Sequence, residues 1–245
     1  MKYHYVWLLW SSAFLIPWIA LYAAARSRRR EMLNVSLATS LLGLSEPIFV
    51  PEYWNPPSLF ELAQRTGFDI ESFIFCFAIG GIGVVFYNAV TRLDVRPVAQ
   101  GERHSTRHRL HRIALLAPYL VFPPLYLLPW NPIYAGIAAL AAGGAANVVC
   151  RPDLLRNTLA GGTLFLGLYA AFMLLLVVFA PGYVELVWNL PALSGVLIAG
   201  VPPEELAFGF AFGLYWAGLY EHFGWRRSTA PGKRAEPVSF GGQHG

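Results

Sequence analysis

Seven stretches of this chain are apolar over a length that matches a lipid bilayer, and this constrains the fold before any motif is read. A spanning helix needs about 20 predominantly apolar residues. Segments 4–25, 32–50, 70–91, 111–129, 132–150, 158–180 and 200–222 meet that need. Charged residues are 13% of the 245, against about 25% in soluble chains, too few to cover a water-facing surface. The expected fold is therefore an all-α integral membrane protein with seven transmembrane helices. Segments four and five are separated only by a Trp130-Asn131-Pro132 turn, and residues 191–201 read as a short interfacial or re-entrant piece ahead of Pro202-Pro203.

The basic residues check the number of spans independently. Of 18 Lys and Arg, 16 fall within 26–30, 92–112, 151–156 and 226–234, which a seven-span chain places on one side; Lys2 and Arg65 fall on the other. The positive-inside rule then puts the N-terminus outside and the C-terminus in the cytoplasm of a multi-pass cell-membrane protein. Segment 4–25 lacks a basic leader and a small-residue cleavage site, so it is expected to stay as a span. The stretch 225–245, rich in Gly, Pro and charge, is expected to be a disordered cytoplasmic tail. Anionic headgroups account for the basic loops, and nothing requires nucleic acid. The two cysteines, Cys76 and Cys150, both lie in apolar runs; they form no disulfide framework and no zinc ligand set.

An internal repeat organises the spans. At a constant offset of 133, Glu71 matches Glu204, Phe75 matches Phe208, Phe77 matches Phe210, Gly80 matches Gly213 and Tyr87 matches Tyr220. Trp54 and Trp188 stand upstream of each copy, and Arg30 and Arg156 precede the middle span of each. Three spans end on the opposite side from where they begin, so a second copy in the same orientation needs one extra span. The result is a 3+1+3 parallel repeat about an axis along the membrane normal. It divides the chain into 1–92, the first three-helix unit; 93–130, a basic cytoplasmic loop and linker helix; 131–224, the second unit; and 225–245, the tail.

Carboxylates in a membrane are costly and face an interior or a partner. Glu46, Glu71, Glu204 and Glu205 all fall in the outer half by this topology. Helix capping is a sufficient explanation for Glu71, Glu204 and Glu205. It fails for Glu46, which reads as lying near a helix C-terminus. Adjacent Glu204 and Glu205 repel, so one of them is a candidate for a protonated acid. The aromatics Phe208, Phe210, Phe212, Tyr215 and Trp216, with Gly209 and Gly213 between them, suit either a GxxxG packing face or a wall that stabilises a carbocation. Trp54-Asn55-Pro56, Trp130-Asn131-Pro132 and Trp188-Asn189 suit interfacial anchoring, the alternative being a shared mouth over a site. His104, His108 and His111 form one helical stripe, but Arg103, Arg107, Arg109 and Arg112 crowd it and would repel a cation, so no metal is expected. Gly80-Gly81-Ile82-Gly83 lies inside a span and is no dinucleotide fingerprint. No lysine lies in a span, which excludes a retinal Schiff base.

On these residues the chain resembles the integral-membrane lycopene cyclases, the heterodimeric or fused type of some bacteria, archaea and fungi. Their three-helix repeat opens each last helix with Pro-x-Glu-Glu or Pro-x-Glu-Asp, matched by Pro202-Pro203-Glu204-Glu205 with Phe208 following. An acid ahead of an aromatic-Asn-Pro stretch is matched by Glu46 and Trp54-Asn55-Pro56. The first repeat departs, reading Asp69-Ile70-Glu71-Ser72. That leaves open whether one end of lycopene, both ends, or a different polyene is cyclised.

The resemblance implies carotenoid biosynthesis by a redox-neutral isomerase (intramolecular lyase). Acid-initiated closure of a ψ-end would give a β-ionone ring with no cofactor. It implies Glu204 or Glu205 as acid, Glu71 and Glu46 as base or relay, and Trp54, Phe75, Trp188, Phe208 and Phe212 around a membrane-dissolved polyene. Association with further copies or with other carotenoid enzymes is left open. The rival readings are a small seven-helix transporter, a related isoprenoid-modifying enzyme that is not a cyclase, and a silent partner subunit.

Overall fold

In the computed structural model, which describes residues 3–103 and 106–229, the chain is mostly helical. Helices α1 (Val6–Ala13) and α2 (Leu15–Ala24) run on through Phe14 as one apolar rod. After a basic turn come α3 (Arg29–Ser40), a tight 3-10 stretch and the short α4 (Glu46–Phe49). Next are α5 (Leu62–Thr66) and the long α6 (Ile70–Thr91). Strand β1 (Asp94–Pro97) and α7 (Gln100–Arg103) lead to the hairpin of α8 (His111–Tyr126) and α9 (Pro132–Cys150). The chain closes with α10 (Leu155–Phe179), α11 (Tyr183–Val187), α12 (Pro203–Trp216), α13 (Leu219–Phe223) and strand β2 (Arg226–Thr229).

Helix starts follow local chemistry. The Asp69 side chain accepts the Ser72 N–H at 2.5 Å and opens α6. Asn131 accepts the Ile133 N–H at 3.1 Å, with Pro132 in the first turn of α9. Proline in that turn costs nothing, since its missing N–H would have no partner there.

Every apolar segment expected from the sequence contains helix, and among the described residues five helices are long and apolar enough to cross a membrane: Val6–Ala24, Arg26–Phe49, Ile70–Thr91, Pro132–Cys150 and Pro152–Phe179. The two that fall short are α8, 16 residues with Pro118, Pro123 and Pro124 inside it, and α12, 14 residues. At about 1.5 Å per residue these reach about 24 and 21 Å, short of a hydrocarbon core of about 30 Å. The α12 rod does continue with right-handed backbone through Ala217 and Gly218 into α13. Large apolar side chains stand exposed along the rods, among them Ile16, Leu127, Val149, Val178 and Phe179. In water that surface would drive association; in lipid it is the solvated face. The protein is a membrane protein.

Packing is close where glycine permits it. Helix α6 lies along α3, and α12 lies between α9 and α10. A Cβ at Gly80 would run into the Thr39 side chain, and one at Gly213 would come within 2.8 Å of Gly162 Cα and 2.7 Å of Phe165 Cβ.

Residues 191–201, read as a short interfacial or re-entrant piece, hold the end of a 3-10 turn, Leu190–Ala192, and a loop pinched by an Ile198–Val201 bridge. The tail, expected disordered from 225, instead pairs Arg226–Thr229 antiparallel with Asp94–Pro97. The pairing is fastened by Arg151, which donates to the Arg226 carbonyl at 2.8 Å, and by Ser228 Oγ, which donates to Asn88 Oδ1 at 2.9 Å. Lys2, His104 and the tail from 230 onward lie outside the described residues.

Candidate active site

Pro202 and Pro203 open α12 and set Glu204 and Glu205 in its first turn. Consecutive helical residues point in directions about 100° apart, so the pair separates despite its adjacency. Glu205 turns inward and accepts three hydrogen bonds: from the Tyr53 hydroxyl, from the Tyr169 hydroxyl at 2.5 Å and from Trp188 Nε1 at 2.7 Å. Glu204 accepts from the Tyr134 hydroxyl and from the Ser194 N–H, both at 2.8 Å, and so ties the 191–201 loop to α9. Both are buried.

Glu46 lies near the end of its span: the helical stretch Arg26–Phe49 tightens into the 3-10 turn Leu41–Ser45 and closes with α4, whose first residue is Glu46. Its Oε2 accepts the Ser72 hydroxyl at 2.7 Å, and its Oε1 has no partner among the described residues. Glu71 Oε1 accepts the Leu59 N–H at 2.7 Å, pinning the loop ahead of α6. At the α6 cap, burial pushes the Asp69 carboxyl above its usual range, while the Ser72 N–H pulls the other way.

A cavity of about 130 Å³ lies between these elements. Glu46 and Glu205 line it; Glu71 and Glu204 do not. Its walls are aromatic, with Trp7, Trp10, Phe75, Tyr169, Phe172 and Phe208 prominent. Phe75 and Phe208, the repeat-related pair, both reach it and both neighbour Tyr169, with ring centroids 6.4 and 5.7 Å away. Trp54 and Trp188, the other expected wall residues, line it too. They pair as an antiparallel bridge, with the Asn55 N–H donating to the Val187 carbonyl and the Asn189 N–H to the Tyr53 carbonyl, at 2.8 and 2.9 Å. The Asn131 and Asn189 amides converge on the Glu52 carbonyl at 2.8 and 3.0 Å. The recurring Trp-Asn pairs therefore build one structure at this end of the bundle, and two of the three tryptophans enter the cavity wall.

Phe212 is absent from that wall. It stacks on Trp216 at 4.3 Å and packs near Phe165 and Gly83 in the core. Conversely, Tyr53, Tyr169 and Ser72 hold the two cavity carboxylates although nothing in the sequence motifs singles them out. A buried Tyr hydroxyl needs a partner, and Tyr169 in the middle of an apolar span was the signal available. Burial, and after it the Glu205 carboxylate, push the Tyr53 phenol well above its ordinary range, so it keeps its proton and donates.

A cavity with aromatic faces and two carboxylates, set among apolar helices, has the groups to hold an apolar ligand and to move a proton. Residues 131–223, somewhat over a third of the chain, match the family model described as lycopene cyclase. The matched segment supplies Tyr169, Phe172, Trp188, Glu205 and Phe208, while Glu46, Trp54, Ser72 and Phe75 come from the half outside it. Neither a curated protein nor a solved structure matches the chain. The match supports a carotenoid cyclase-like role and a lipophilic polyene as ligand.

Proposed function

We propose that the protein is a lycopene β-cyclase-like isomerase that closes the ψ-end of lycopene to a β-ionone ring. The observation that carries this reading is the aromatic cavity with Glu46 and Glu205 on its wall. A carboxylic acid protonates the terminal double bond, and the electron pair of the neighbouring double bond attacks the resulting cation to form the ring. A carboxylate then removes a ring proton. One proton enters and one leaves, so no redox partner is needed. Ring faces of Phe75, Tyr169, Phe172 and Phe208 stabilise the cation while it lasts.

The geometry supports a different division of labour from the one the motifs suggest. Tyr53, Tyr169 and Trp188 all donate to Glu205, the arrangement that suits a carboxylate acting as base. Glu46 accepts one hydrogen bond and has an oxygen with no partner, a place for the transferable proton. In this proposal Glu46 is the acid, Glu205 the base, and Glu71 and Glu204 position the loops that shape the cavity. The cavity takes one end group at a time, and the rest of the polyene lies along the lipid-facing surface.

The membrane arrangement proposed with it is the seven-span 3+1+3 repeat in the cell membrane, N-terminus outside and C-terminus in the cytoplasm. It is supported by the corresponding antiparallel packing of α6 on α3 and of α12 on α10, by the near-continuous α12–α13 rod, and by an Asn88–Glu221 hydrogen bond at the same offset of 133. Expression in a lycopene-accumulating bacterium tests the function. Wild type should yield γ- or β-carotene and Glu205→Gln lycopene alone; unchanged lycopene with wild type overturns the reading.

A further inference from the structure

A second cluster of reactive side chains lies in the region of the β1–β2 ribbon, apart from the residues that line the cavity. Cys150, the last residue of α9, is buried, and its Sγ stands 3.5 Å from His108 Nδ1 and 3.7 Å from His111 Nδ1. The three ligand atoms lie within 4.8 Å of one another. For a tetrahedral zinc ion with bonds of about 2.3 Å to sulfur and about 2.0–2.1 Å to nitrogen, a sulfur–nitrogen edge is about 3.6 Å. Both observed separations match that edge.

The imidazoles are held from the other side by one indole. Trp225 stacks on His111 at 4.0 Å and 13° and meets His108 edge-on at 4.9 Å. A further imidazole, that of the fully buried His222, stands 4.3 Å from His111; its Nδ1 meets Asn147 Oδ1 at 2.6 Å, and its Nε2 has no partner among the described residues. Of the arginines that argued against a cation in the sequence, Arg103 donates to the Val98 carbonyl at 3.0 Å, and Arg109 and Arg112 are exposed. The Arg151 guanidinium donates to Asp153 at 2.6 and 2.8 Å and to the Arg226 carbonyl at 2.8 Å.

We propose that His108, His111 and Cys150 bind a borderline divalent cation of the zinc class. On binding, the Cys150 thiol gives its proton to solvent and the thiolate and two neutral imidazoles donate electron pairs, so no oxidation state changes. The ion closes the open end of the α8–α9 hairpin, whose other end is already closed by the Trp130-Asn131-Pro132 turn. It thereby fastens the long connection after α6 to the end of α9 and acts as a structural clamp, separate from the cavity chemistry.

The test uses full-length protein, purified with a tag that contains no histidine and stripped of metal by a chelator. Cobalt(II) is added as a spectroscopic probe and zinc as competitor. Wild type should take up one equivalent of cobalt with a thiolate charge-transfer band that zinc abolishes. Cys150→Ser should lose the band, and Cys76→Ser should keep it. His108→Asn, at a half-buried position that tolerates the change, should weaken zinc binding by more than about 100-fold, beyond the loss from removing an outer-shell partner. No thiolate band in wild type, a band that survives Cys150→Ser, or unchanged affinity in His108→Asn would overturn the proposal.

Discussion

Tyr169→Phe is the sharpest probe of how the cavity works, because it removes one oxygen and leaves the ring. The phenyl group keeps its neighbours, Phe208 at 5.7 Å and Phe172 at 6.0 Å, so the aromatic wall persists. What is lost is the 2.5 Å hydrogen bond to Glu205 Oε2, which among the described residues Tyr169 alone serves; Tyr53 and Trp188 both donate to Oε1. A hydrogen bond to a charged group contributes about 1.5–3 kcal/mol. If that bond holds the base in its working position, the variant closes rings about 10- to 150-fold more slowly. The assay is initial-rate ring formation in isolated membranes at matched protein level, with thermal unfolding in detergent as a control for folding. A Tyr169→Phe protein that folds normally and cyclises at the wild-type rate would refute the assignment of Glu205 as the working base.

Other substitutions separate chemistry from architecture. Glu46→Gln should lower ring formation by at least about 100-fold, the smaller end of what general acid–base catalysis supplies, with membrane protein level unchanged; near-normal pigment would remove Glu46 from the acid role. Glu204→Gln should keep most of the activity, since Glu204 faces Tyr134 and Ser194 rather than the cavity, and should instead cost about 1–3 kcal/mol of stability, read as a lower Tm. Gly213→Ala drives a methyl group into Gly162 and Phe165, so overpacking should cost about 1–3 kcal/mol on the same assay, and an unchanged Tm would contradict the close α10–α12 contact.

Apolar length located the helices well, because a bilayer demands long apolar runs whatever their partners are. It does not announce how short α8 and α12 are, since prolines at 118, 123 and 124 and the end of α12 at Trp216 are local events inside apolar sequence. It also gave no sign of the 3-10 turn ahead of Glu46, because nothing in Leu41–Ser45 announces that a helix will tighten there. The repeat offset found the Phe75 and Phe208 wall pair and two glutamates, yet it paired Glu71 with Glu204, neither of which lines the cavity. Of the carboxylates that do line it, Glu205 sits one residue past that pair, where the same offset leads to Ser72, and Glu46 lies outside the matched stretch. Tyr53 and Tyr169 were illegible because their role is contact with a residue more than thirty positions distant. Arg226–Thr229 was illegible for the same reason: its order depends on Asp94–Pro97, an entire chain length of spans earlier.

The most direct test of acid-initiated cyclisation is the origin of the proton in the product. Membranes containing the protein would be incubated with lycopene in deuterium oxide and the carotenoids analysed by mass spectrometry. The account predicts one solvent-derived deuterium for each ring closed, with no added oxidant or reductant. Rings formed without deuterium, or no rings at all, would contradict it.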